Sequence, residues 1–463
     1  MSGIGLIFAF VVAIIVMILA ISKLKIHPFL SIMGISVILG LLAGIPLVNQ
    51  TAADGTVTLG LANVIGAGFS GTFTSIGIVI ILGALIGTIL EATGAALKLA
   101  DLVIKLVGPN HPELAVELMG WVVSIPVFCD SGFVILNPIR KAMVRRTGTS
   151  SVAMTVALSA GLYASHVFIP PTPGPIAAAN TLGIGNNLLL VMGLGALVSI
   201  PALIGAYFYA KYIGKTVKSA DELNQDETVK TYEQIVAEYG KLPGSWSSLA
   251  PIIVPILLMA LGSVASMAKW EGMLFDLSSF LGTPIIALAV GTLFGVWLLH
   301  TSHKMNKFYD LTNDTLKTVG PILFVTAAGG VLGKVISVSG MVTFITENSS
   351  MLEAIGIFFP FILSAILKSA QGSSTVALTT TAGILAPLMG ALGLSSPVMS
   401  ALTVMAIGAG AMTVSHANDS YFWVVTNFGE MTPQQGYKTQ TLVTLVEGVC
   451  SMLGIFVLSL FLR

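Results

Sequence analysis

Four polar interruptions stand inside long apolar runs, and each carries residues able to bind a small anion or a proton. They are Cys129-Asp130-Ser131-Gly132, Ser165-His166 with the following Pro170-Pro171-Thr172-Pro173-Gly174-Pro175, Lys368 with Gln371-Gly372-Ser373-Ser374-Thr375, and Ser415-His416-Ala417-Asn418-Asp419-Ser420. Ser131, Thr172, Ser373, Ser374, Thr375, Thr379 and Asn418 are neutral hydrogen-bonding groups suited to hydroxyls; their other use is helix packing and bonding back to the preceding turn. Four prolines within six residues cannot continue a helix, because each lacks an N–H and its ring clashes one turn back. A membrane has no water to satisfy the freed backbone, so such a break survives where it lines a polar cavity or is buried in protein. Helix N-termini at breaks expose N–H groups with partial positive charge, which suits a carboxylate. Gly132 and Gly372 let backbone approach a ligand closely. The set is shaped for a small polyhydroxylated or hydroxy acid.

Among the ionisable residues, Asp130 is the sharpest. A carboxyl held away from water can carry a proton at neutral pH, and that proton can be coupled to substrate. The competing role is a cap that accepts N–H bonds from Gly132 and Phe133. Asp419 follows the same logic, paired with His416 or His166. Lys368 is a partner for a substrate carboxylate, a counter-ion for an aspartate, or a side chain that snorkels to the surface. The expected proton-coupling group is therefore Asp130, Asp419, His166 and Lys368. His27, His111, His300 and His303 sit at loop edges and are expected to be solvated. Cys129 and Cys450 have no metal-ligand spacing, so no metal site is expected. Adjacent Ser-His has the wrong geometry for a hydrolase triad and no nucleophile elbow is present, so no catalytic residues are assigned.

These residues must be positioned by membrane helices. The chain has 463 residues, 55% hydrophobic and 9% charged, with a mean hydropathy of +0.94, whereas soluble domains carry about 25% charged residues. It reads as an all-α polytopic membrane protein. Lys+Arg and Asp+Glu both number 21, so net charge indicates no partner, and no nucleic-acid partner is expected. Residues 4–21 lack a basic leader and are expected to be a retained first helix. Further spanning runs are 28–45, 76–92, 114–139, 152–182 and 188–212, with 97–107 as an interfacial helix. Residues 214–247 form a mixed-charge cytoplasmic linker with a short helix at 220–239. The order then repeats with 249–267, 283–299, 319–338, 355–388, 397–427 and 442–462. The small-residue runs Ala157–Gly161 and Ala406–Gly410 precede the two Ser-His pairs. Three units follow: a first repeat at 1–213, the linker at 214–247, and a second repeat at 248–463.

Positive residues collect in cytoplasmic loops. If 114–139 dips in and returns as a re-entrant hairpin with its tip at Asp130–Gly132, the clusters at Lys98/Lys105 and at Arg140, Lys141, Arg145 and Arg146 fall on one side. Seventeen of the 21 Lys+Arg then lie inside, and only Lys269 and Arg463 outside. Each half has five crossings plus one hairpin. Five is odd, so the repeats are inverted and both termini lie outside. Inverted repeats with helices broken at the midplane are the signature of secondary transporters. No Gly-rich phosphate loop is present to suggest a nucleotide-driven pump.

Gly132-Phe133-Val134-Ile135-Leu136, Phe168-Ile169-Pro170-Pro171-Thr172-Pro173-Gly174-Pro175, Gly372-Ser373-Ser374-Thr375-Val376-Ala377 and Ser415-His416-Ala417-Asn418-Asp419-Ser420-Tyr421-Phe422-Trp423, in that order, resemble the gluconate permease family of bacterial proton symporters. The resemblance covers essentially the whole chain. It implies the architecture of the wider ion-transporter superfamily, with two inverted repeats, re-entrant hairpins, and a homodimer of scaffold and moving parts in a bacterial inner membrane. It also implies uptake of gluconate, related sugar acids, D-serine or other small hydroxy acids. Asp130 stands where the family usually has glutamate, Lys368 where it usually has arginine, and Thr172 where histidine is common. Arg offers a carboxylate a bidentate fork and Lys a point charge, so these departures bear on which acid is carried.

The expectation is a proton-coupled symporter that imports a small hydroxy-carboxylate by alternating access. Its expected substrate-binding residues are Asp130, Ser131, Gly132, His166, Thr172, Gln371, Gly372, Ser373, Ser374, Thr375, His416, Asn418 and Asp419. No cofactor is expected beyond the coupling ion. Sodium coupling through unwound backbone and Asn/Ser/Thr oxygens is the alternative. A channel needs no two sealed symmetric breaks, and a membrane enzyme needs a catalytic constellation.

Overall fold

The computed structural model describes residues 4–51, 54–108, 111–223, 242–268, 270–340, 344, 356–416 and 419–462. In the first half, α1 (Ile4–Ser22) and α2 (Pro28–Leu42) precede the long α3 (Leu61–Thr93) and the amphipathic α4 (Ala95–Val107). Then come α5 (Pro112–Val123), α6 (Cys129–Thr147), α7 (Ser151–Phe168), α8 (Pro173–Thr181) and α9 (Leu188–Thr216). In the second half, α10 (Ser245–Met267), α11 (Gly272–Gly282), α12 (Pro284–Thr301) and the long α13 (Phe308–Val338) lead to α14 (Phe358–Gln371) and α15 (Ser374–Leu385). The last three are α16 (Pro397–Met412), α17 (Ser420–Phe428) and α18 (Leu442–Phe461). Among the described residues, eight helical stretches are long and apolar enough to cross a membrane. Helices predominate because a bilayer leaves exposed backbone groups no partner outside their own segment.

Several boundaries differ from the sequence reading. The third span begins at Leu61, ahead of the expected residue 76. Ahead of that span, Gln50–Thr51 pairs antiparallel with Val57–Thr58. Asp54 Oδ1 accepts from Thr56 N at 2.9 Å in its turn. The expected interfacial helix is present as α4, where Asp101 pairs with Lys105 at 2.8 Å and Lys98 at 3.4 Å. Of the expected linker helix 220–239, Ala220–Leu223 is helical and the remainder lies outside the described residues.

The first interruption is displaced, and the second and third are narrower than the stretches that announced them. The turn expected at Asp130–Gly132 lies at 124–128, around Pro126, and Asp130 sits in the first turn of α6. Proline stops the chain there because it cannot donate to the preceding turn. Ser124 closes the turn by donating to the Val127 carbonyl at 2.8 Å. Likewise α7 runs past Ser165-His166 to Phe168, and its break spans 169–172. Lys368 is inside α14, and the α14–α15 break is only Gly372-Ser373. Gly372 takes a left-handed φ of 90°, which glycine adopts without a Cβ penalty.

Helices α7 and α16 pack against each other at the centre. Every residue of α7 is buried. Helices α5 and α9 flank α7, while α14 and α18 flank α16. The small-residue runs gain a physical reason here. A Cβ on Gly161 of α7 would lie 1.9 Å from the Glu117 carbonyl oxygen of α5, and one on Gly410 of α16 would lie 2.3 Å from the Phe361 carbonyl oxygen of α14. In lipid, helices associate through such close backbone approach. Away from the centre, α3 packs on α13, α12 on α3 and α2 on α13.

Gly161→Ala should therefore destabilise the purified protein by about 1–3 kcal/mol, the usual cost of overpacking. Gly193→Ala, with nothing within 4 Å of the added carbon, should not. Thermal unfolding of the two variants in detergent checks this, and equal midpoints would contradict the close α5–α7 contact.

Candidate functional site

The breaks converge, and each satisfies its own backbone differently. In the first, Pro170, Pro171 and Pro173 bring no N–H to satisfy. The Thr172 hydroxyl donates to the carbonyls of His166 (2.9 Å) and Ile169 (2.8 Å), two groups freed by the end of α7. Thr172 is thus committed to the break. In the second, Asp419 caps α17, accepting from Tyr421 N at 3.1 Å through Oδ1. Ser415 N donates to Thr444 Oγ1 at 2.9 Å.

At the second break lies a buried ion pair. Lys368 Nζ is 2.6 Å from Asp419 Oδ2, with side-chain exposures of 0% and 6%. Lys368 also donates to the Gly372 carbonyl and lies 5.7 Å from the centre of the Tyr163 ring. Ser415 Oγ donates to the same carboxylate oxygen at 2.6 Å. Of the three roles open to Lys368 in the sequence, the structure shows the counter-ion. The ammonium does not reach the surface.

Asp130 faces this pair. It interacts electrostatically with Asp419 and Lys368, and Ser420 reaches its side chain. Its Oδ1 is buried with no hydrogen-bond partner, and Cys129 Sγ lies 3.8 Å from Oδ2. The cap role is not observed. The residue before α6 is Phe128, with no side-chain cap, and Gly132 N bonds to the Phe128 carbonyl at 2.8 Å. A Cβ on Gly132 would meet Leu162 Cδ2 at 2.6 Å, so this glycine serves the approach of α6 to α7.

His166 is buried with Nδ1 unpartnered. Its ring lies 6.5 Å from Tyr163 and 5.9 Å from Phe128, within the field of Lys368 and Asp419. His416 is half-buried beside the same two charges. Ser373 caps α15, accepting from Val376 N at 3.3 Å. Ser374 and Thr375 are buried, and Ser374 reaches the Tyr163 side chain. Thr379 donates to the Val376 carbonyl at 3.2 Å, so its hydroxyl is spent within α15. Ser131 is half-buried in α6. Asn418 and the Gln371 side chain lie outside the described residues.

Two tyrosines that the sequence did not mark as site residues complete the cluster. Tyr163 and Tyr421 are buried with ring centres 5.1 Å apart. The Tyr421 hydroxyl donates to the Ser159 carbonyl at 3.0 Å. Their register gives no sign that α7 and α17 will meet. Glu117 and Glu447 are two further buried acids outside this cluster. Here a signal was available, since an ionisable residue inside an apolar run points to function by default.

Residues 5–461 match the GntP family permease model. The chain belongs to that family. A permease of Haemophilus influenzae is 34% identical over 429 residues, spanning 90% of this chain and 85% of its own. A gluconate permease of Zymomonas mobilis is 30% identical over 467 residues, spanning 98% of each. Among solved structures, MtrF of Neisseria gonorrhoeae, whose structure illuminates a class of antimetabolite efflux pumps, superposes with a TM-score of 0.66. At 15% identity, covering 95% of this chain and 97% of MtrF, that likeness speaks for the fold. This GntP-family chain is a multi-pass membrane permease and not an enzyme.

The ion pair sets a stability test. Asp419→Ala leaves a buried ammonium uncompensated and should cost about 3–5 kcal/mol. The double variant Lys368→Met/Asp419→Leu should recover most of that loss without recovering transport. Thermal melts of the single and double variants check it. A double variant no more stable than Asp419→Ala would contradict a mutually compensating pair.

Proposed function

We propose that this permease imports a small hydroxy-carboxylate together with a proton. The observation that carries the reading is the buried Lys368–Asp419 contact, with Asp130 facing it. A substrate carboxylate has the same charge as Asp419 and competes for the same ammonium. Both anions cannot be held by one lysine in a low-dielectric site without a cost of several kcal/mol. A proton taken up on Asp419 or Asp130 removes that conflict. Anion and proton then enter together, and the site's net charge is unchanged. The neutral groups around it, Ser131, Ser374 and Thr375, suit substrate hydroxyls. Gluconate is what the Zymomonas relative's name says it carries, and a related hydroxy acid fits this donor set.

Two inverted repeats at 1–213 and 248–463, joined by a cytoplasmic linker and each with one re-entrant hairpin, fit this mechanism at a bacterial inner membrane. The paired packing supports them: α5 on α7 is matched by α14 on α16, and α12 on α3 by α2 on α13. Both ends of the α5–α6 pair lie near one end of the bundle. Glu113 at the start of α5 is an electrostatic neighbour of Lys211 near the end of α9, and Lys141 in α6 pairs with Glu430, whose carbonyl accepts from Ala220 N at 3.0 Å. Positive residues crowd that end, which makes it cytoplasmic and leaves both termini outside.

Uptake into proteoliposomes, with a panel of labelled acids under separate pH and sodium gradients, tests the reading. Accumulation driven by the pH gradient is expected. Accumulation driven only by sodium would replace the proton with that ion, and none under either gradient would sink the symporter. Asp130→Asn should abolish pH-driven accumulation while leaving substrate exchange intact. Unchanged coupling would move the proton to Asp419 or a histidine.

A further inference from the structure

Glu117 of α5 and Glu447 of α18 take no part in the substrate site. Both are fully buried, and none of their four carboxyl oxygens has a hydrogen-bond partner. They interact electrostatically across the α5–α18 separation. An ionised carboxylate without a partner is among the costliest groups to bury, and each of the two adds to the cost of ionising the other.

No cation among the described residues answers either one. The titratable groups that act on the pair, or feel it, are Glu117 and Glu447 themselves, Cys450 on α18, and Tyr421 on α17. The charges on the packed elements are engaged elsewhere. Lys98, Asp101 and Lys105 of α4 bond one another, and Arg140 of α6 bonds Asn137 and Ser151. Lys141 of α6 bonds Glu430, Lys211 of α9 bonds Tyr207, and Lys368 of α14 bonds Asp419. Tyr163 and His166 of α7 belong to the substrate cluster, and Tyr437 and Lys438 lie ahead of α18.

Polar groups also bridge this pair to the substrate site. Tyr421 interacts electrostatically with Glu447 as well as with Asp130 and Cys129. The Ser159 whose carbonyl binds the Tyr421 hydroxyl donates its own hydroxyl to Gln440 Oε1 at 2.6 Å. Gln440 is fully buried, and its Nε2 has no partner. Tyr421, Ser159 and Gln440 thus form a buried hydrogen-bonded chain between the substrate cluster and the two glutamates. Glu117 lies one turn beyond Glu113, and Glu447 in the second turn of α18 beyond Lys438. Glu117 is therefore near the positively charged end, where Glu113 neighbours Lys211, and Glu447 is one turn beyond Thr444, which bonds Ser415 N at the break.

We propose that Glu117 and Glu447 form a second proton-binding pair, through which the coupled proton leaves Asp130 toward the cytoplasm. Asp130 gives up its proton and becomes a carboxylate. Glu447 takes that proton on a carboxylate oxygen, with Glu117 in its acid form, and later loses it to cytoplasmic water. The release step rests on the proton-symport reading; the existence of the pair does not.

Infrared spectroscopy of the purified protein through a pH titration, with wild type, Glu117→Gln, Glu447→Gln and the conservative Glu447→Asp, tests the pair directly. A carboxylic-acid C=O band is expected near neutral pH in wild type, diminished in each Gln variant and retained in Glu447→Asp. Absence of any acid band removed by either Gln substitution would overturn the pair. In proteoliposomes, Glu447→Gln should lose pH-driven accumulation while retaining exchange and substrate affinity. Accumulation equal to wild type would overturn its place in the proton's route. Failure of wild type itself to accumulate substrate under a pH gradient would instead strike the symport reading, with the infrared band still deciding the pair. Should a Gln variant fail to fold, the band of Glu447→Asp against wild type, and its shift with pH, decides the same question.

Discussion

Lys368 and Asp419 come from different helices on either side of a break, and each needs the other to be buried. An ammonium or a carboxylate alone at this depth would cost several kcal/mol. Their 2.6 Å contact therefore ties α14 to the start of α17. It also fixes where the Gly372 carbonyl and the Ser415 hydroxyl point, since both bond to the pair. Asp130, Tyr163 and the two histidines are placed around that charge. One positive and two acidic groups make the site sensitive to any added anion or proton.

The two halves solve one backbone problem with different chemistry. At 169–172, prolines remove donors and the Thr172 hydroxyl satisfies two carbonyls, so that break carries no charge of its own. At the second, Asp419 caps the following helix while balancing Lys368. The close approaches on either side are nevertheless alike: Gly161 against the Glu117 carbonyl, Gly410 against that of Phe361. Packing is repeated where backbones touch, and the chemistry differs where side chains meet. In the symport proposed above, the neutral half would take the hydroxylated body of a substrate and the charged half its carboxylate and the proton.

Much of this was legible in the chain. A mean hydropathy of +0.94 with scattered polar breaks requires helices and a membrane, because no other backbone arrangement short of a closed barrel satisfies its hydrogen bonds in lipid. The prolines at 170–175 and the glycine at 372 named two of the breaks, since their effect on φ and on backbone donors is local. Asp130, Lys368 and Asp419 stood out because an ion inside an apolar run is rarely idle. The motif order named the family, now shown by the match over residues 5–461.

Tertiary structure decided what local rules do not reach. Whether Lys368 meets substrate, aspartate or water depends on which residue 51 positions away, at 419, folds back on it. The turn moved from Asp130 to Pro126 because the Asp-Ser-Gly step is an acceptable first turn of a helix, while at 124–128 the Ser124 hydroxyl is free to close the turn on the Val127 carbonyl. Tyr163 meeting Tyr421 joins residues hundreds of positions apart, so no spacing in the sequence could announce it. Residue type determined which groups must find partners in the membrane, and only the packed helices determined which partners they found.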